Sequence, residues 1–151
     1  KAELALGGFI TTDAKTAFTV GLESSFAYCN KMASYDGLAP KIKAEDKDAY
    51  IKTMQEKYDA ATSKLEIVMT QKWIADFGNS LGSYADLRRT GFPQVYNPDT
   101  DDDDDTYNTK EFPFVFPYAS TSLITNVTIK DQDLGSRNVH ETFVFWNQPK
   151  N

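Results

Sequence analysis

Gln71 to Pro93, QKWIADFGNSLGSYADLRRTGFP, limits what this chain can fold into more than any other stretch. Helical periodicity runs up to it, and the residues after it read as irregular or extended, so two kinds of chain meet here. Leu65, Val68, Met69, Trp73, Ile74 and Phe77 recur at helical spacing, with Ile67 widening the stripe, which predicts a helix over about 64–78. Gly78 and Asn79 stop it, because both tolerate the left-handed backbone that ends helices. A shorter helix over about 80–90 follows. Ser80 or Ser83 serves as its cap, and Tyr84, Leu87 and Arg88 share a face. Thr90-Gly91-Phe92-Pro93 ends it, since Gly91 frees the backbone and Pro93 drives Phe92 out of the helical region.

Upstream, Lys1 to Leu6 reads as the tail of a helix ended by Gly7-Gly8. Thr11-Thr12-Asp13 offers an N-cap, and Phe18, Leu22, Phe26, Cys29 and Ala33 form a stripe, predicting a long amphipathic helix over about 12–36 closed by Gly37 and Pro40. Tyr50, Met54, Tyr58 and Ala61 mark another over about 45–61, with a break near Thr62-Ser63. Its Lys47, Lys52, Glu56 and Lys57 read as a solvated face. Successive helices of this size predict a mostly α chain of antiparallel helical hairpins, followed by extended or loop chain over 91–151.

Downstream, Asn97 to Asn108 is a loop in which Asp99 and Asp101 to Asp105 crowd carboxylates together. Hard cations want such oxygens, so Asp101, Asp103 and Asp105 are the calcium candidates. The EF-hand register fails, with Asp104 where glycine belongs and Lys110 where glutamate belongs, and a solvated acidic run is the simpler reading. Two prolines make Phe112 to Tyr118 an extended surface segment rather than a central strand. Leu123 to Ile129 alternates weakly and reads as a short strand. Thr142 to Trp146 closes the chain with bulky side chains expected to pack back on the helices.

The 151 residues carry a formal net charge of -6 and a pI near 4.7. That excludes a basic nucleic-acid face and electrostatic docking on anionic lipid. Cys29 and His140 are the only residues of their types, so no internal disulfide forms and little remains for a metal site or nucleophilic dyad. Cys29 reads as a small buried hydrophobe. No apolar run is long enough for a membrane span, and Glu3 interrupts the first residues, which do not read as a signal peptide. Arg88 and Arg89 suit a helix C-terminus, where the dipole favours cations and their forks tie down following chain; a clamp for an anionic ligand is the functional alternative. A glycosidase would need paired carboxylates, and Asp76 and Asp86 are available, although capping and salt bridging account for both.

Thr70 to Ala75 (TQKWIA) and Tyr84 to Pro93 (YADLRRTGFP) resemble the C-terminal signature of the SusD/RagB-like nutrient-binding outer-membrane lipoproteins of Bacteroidetes. The run 113–122, with Asn126 following, and the closing Phe143 to Asn147 are similar to later family segments, as is Phe18 to Phe26 to an earlier one. Departures fall at Phe114, Val115, Ala119, Ser122 and Thr142, where the family commonly has arginine, arginine, proline, glutamate and arginine. The resemblance implies a tetratricopeptide-type helical scaffold, with this chain the C-terminal portion of a SusD-like domain. It implies a surface-exposed lipoprotein of the cell outer membrane, anchored by lipid outside this chain. Such a protein is the lid of a SusC-like TonB-dependent transporter and captures an oligosaccharide or peptide without catalysis or a cofactor. Trp73, Tyr84, Arg88, Arg89, Gly91 and Pro93 are then structural motif residues. On chemistry alone, the loop aromatics Tyr96 and Tyr107 are the ligand candidates. The alternative is a structural helical interaction module with no small ligand.

Overall fold

The computed structural model describes residues 1–94 and 114–131, of which about 70% are helical with no strand among them. They fall into two units divided between Asp86 and Leu87. The first holds α1 (Ala2–Leu6), α2 (Ala14–Asp36), α3 (Ala44–Ala60), α4 (Lys64–Ala75) and most of α5 (Ser80–Thr90).

Local chemistry sets the ends of α2 where the sequence places them. Asp13 sits in extended backbone, and its Oδ2 accepts from the Thr16 amide at 2.7 Å and the Thr16 hydroxyl at 2.8 Å. Those bonds, the backbone one foremost, hold the Asp13 carboxyl below its ordinary value. Gly37 closes the helix with φ 68°, a conformation that costs a Cβ-bearing residue about 1 kcal/mol or more.

Side-chain pairs show that α2 and α3 run antiparallel. Lys15 Nζ meets Asp59 at 2.6 Å, Phe18 stacks on Tyr58 at 5.3 Å, and Gln55 donates to the Thr19 hydroxyl at 3.0 Å. Further along, Phe26 meets the edge of Tyr50 at 5.5 Å. Each step forward on α2 is a step back on α3. The Asn30 amide then clasps the Ile42 backbone, accepting from its N–H at 2.7 Å and donating to its carbonyl at 3.2 Å, which pins the connecting loop.

The α3–α4 turn is also antiparallel. Ser63 Oγ caps α4 by accepting from the Glu66 amide at 3.2 Å. Lys64 Nζ donates to the carbonyls of Tyr58, Asp59 and Ala61 at 2.6–2.9 Å, satisfying the orphan acceptors at the end of α3, and lies 5.4 Å from the Tyr58 ring centre. Tyr50 donates to Gln71 Oε1 at 2.8 Å, tying the start of α3 to the end of α4. Between the helices Phe18, Leu22, Ile51, Met54, Tyr58 and Val68 form the core with Ala2. Each large apolar side chain buried there contributes about 1.5–3 kcal/mol. Burial also pushes the Tyr58 phenol up, helped by the negative charges of Asp13 and Asp59.

Cys29 is exposed, not buried as its place in the stripe predicts. The antiparallel register brings the polar first turn of α3, with Glu45 and Asp46, toward this level of α2, so apolar cover stops after Tyr50.

The second unit corrects the downstream reading. Ser120–Thr125 is a helix, α6, and Val127–Asp131 another, α7, where the sequence predicts extended chain and a strand over Leu123 to Ile129. Asn126 takes extended backbone between them, and its Oδ1 accepts from the Thr128 amide at 3.1 Å, opening α7. Thr125 donates its hydroxyl back to the Thr121 carbonyl at 2.8 Å. These local bonds override the strand preference of a Thr-, Ile- and Val-rich segment. Phe114 to Ala119 is non-helical as expected, with Val115 buried and Phe116 exposed.

Candidate functional site

The elbow between α4 and α5 is set by a run of local hydrogen bonds. After Ala75 the chain turns on three short bonds: Asp76 N–H to Lys72 O at 2.9 Å, Phe77 N–H to Ile74 O at 3.4 Å, and Asn79 N–H to Asp76 O at 2.8 Å. Gly78 takes φ 91°. Asn79 then caps α5: its Oδ1 accepts from the Gly82 amide and its carbonyl from the Ser83 amide, both at 3.3 Å. The sequence reading put this cap on Ser80 or Ser83. Asn79 wins because its carbonyl already accepts the first intrahelical bond while its side chain reaches back over the first turn.

Lys72 Nζ lies 2.6 Å from Asp86 Oδ2 and ties the two helices together. Asp86 is only 8% exposed, whereas the Lys72 side chain is 45% exposed. The pair links the Lys of the TQKWIA run to the acidic residue of the YADLRRTGFP run, which gives both a structural reason. Asp76, the other carboxylate of the glycosidase alternative, is half-buried in the turn.

In the second unit, the Gly91 amide closes α5 onto the Leu87 carbonyl at 2.8 Å with φ 75°. The Thr90 hydroxyl accepts from the Phe92 amide at 3.1 Å and lies 3.2 Å from the Phe92 carbonyl. Pro93 is buried. Gly91 is therefore demanded by backbone conformation and Thr90 by the exit of the chain. Tyr84 and Arg88 are half-buried and Arg89 is exposed, as a rotation of about 100° per residue requires of helical neighbours. The two arginines thus differ in exposure.

The predicted apolar stripe is buried through Val68 and Met69 and then emerges. Trp73 is 42% exposed, Ile74 50% and Phe77 98%, and Leu81, in the first turn of α5, is 78% exposed. Phe77 lies beyond the last residue of α4, so the helical spacing no longer governs it. A second exposed set, not picked out from the sequence, lies on α2: Tyr28, Met32 and Tyr35, with Leu38 just past its end. Their spacing puts them on one face, turned well away from Leu22 and Phe26, and that separate periodicity was the available signal.

Tyr96 and Tyr107, the ligand candidates, lie outside the described residues, as do Asp101, Asp103 and Asp105, His140 and Thr142 to Trp146. Among the described residues no group of His, Cys, Asp and Glu is placed to hold a metal ion, and no helix is long and apolar enough to cross a membrane.

A helical scaffold with capped hairpins and a motif elbow is the class of protein defined here. The family model for SusD-like proteins, the SusD and RagB outer membrane lipoproteins, matches residues 1–147, and the chain belongs to that family. No curated protein and no solved structure matches it.

Proposed function

We propose that this chain serves a nutrient-binding lipoprotein of the outer membrane that captures an oligosaccharide or peptide and delivers it to a SusC-like TonB-dependent transporter. The carrying observation is the family match over residues 1–147, whose strongest motif has a physical explanation at Lys72, Asp86, Thr90 and Gly91. In this reading the protein binds and does not catalyse: Asp86 is engaged with Lys72 rather than offered to a substrate. Sugar capture would use aromatic stacking with hydrogen bonds, and peptide capture backbone hydrogen bonding. Attachment to the membrane would be through lipid.

The test is affinity purification of the tagged protein from detergent-solubilised outer membranes, paired with calorimetric titration of glycan and peptide panels. Recovery of a β-barrel transporter together with saturable binding of one ligand class is expected. Ligand turnover during the titration, or binding of neither class with no barrel recovered, overturns the reading. The exposed apolar side chains on α2 favour one second reading, a helical interaction module. That module would recover a stable protein partner other than a barrel and bind no small ligand.

A further inference from the structure

We draw no further inference here: the strongest candidate, the exposed stripe of Tyr28, Met32 and Tyr35 along the outer face of α2 and on to Leu38, is an unpartnered apolar face, and nothing in the structure shows what covers it.

Discussion

The α2–α3 hairpin and the α4–α5 elbow are both turns between helices, yet they are held by opposite chemistry. In the hairpin, aromatic and aliphatic side chains interlock: Phe18 on Tyr58, Phe26 on Tyr50, with Leu22, Ile51 and Met54 buried between. Polar pairs such as Lys15–Asp59 sit at its exposed margin. In the elbow the one buried side chain among the described residues is a polar one. Asp86 is enclosed while Trp73, Ile74, Phe77 and Leu81 face outward. A hairpin closed by apolar packing tolerates surface change but not core truncation. An elbow set by caps and an ion pair depends on individual polar residues and gains little from its apolar ones.

Four substitutions or titrations would break or sharpen that contrast. Phe18→Ala should have the largest effect, destabilising the protein by about 3–5 kcal/mol in denaturant melts, because it removes a stacked ring from a packed core. A loss under about 1 kcal/mol would mean the hairpin is not the stability centre. Asp86→Ala comes next. In a double-mutant cycle with Lys72→Ala the coupling should be about 1 kcal/mol, kept modest because Lys72 is 45% exposed and screened by solvent. Zero coupling would remove the ion pair from the account of the elbow.

Acid titration tests the hairpin's cap. The Asp13 carboxyl is held below the usual 3.8, so its stabilisation is present above that value and lost as pH falls through the folded one. Asp13→Asn keeps a capping oxygen without the ionisation, and should flatten the acid limb of stability while preserving the helix by circular dichroism. An unchanged acid limb would rule the carboxylate out. The smallest effect belongs to Phe77→Ser: with that residue 98% exposed, the free energy of unfolding should change by no more than about 0.5 kcal/mol. A larger loss would show that the elbow's apolar side chains are covered after all.

The positions of α1 to α5 were legible because their signals are local. Asp13 opens α2, Ser63 opens α4 and Gly91 closes α5 through bonds to residues a turn away, and Gly37 ends α2 by its left-handed backbone. The Asn79 cap was misplaced by one residue or more for the same local reason: several capping residues stood in a row, and geometry chose among them. The strand expected over Leu123 to Ile129 failed because β-branched composition is a weak prior, and the bond from the Thr128 amide to Asn126 outweighs it. The motif runs were readable as a family signature, but their physical content was not. Lys72 and Asp86 sit on different helices, so nothing in their spacing announces that they meet.

By itself, then, the sequence determined the helices of the first unit, the ends of α2, the acidic character of the chain and its family, since period, capping and motif order are all properties of neighbouring residues. Tertiary structure alone decided which apolar residues are covered. Met69 and Trp73 lie on one predicted stripe, yet one is 1% exposed and the other 42%. A stripe states which side chains share a face of a helix; burial depends on whether another helix reaches that level, and that is a property of packing.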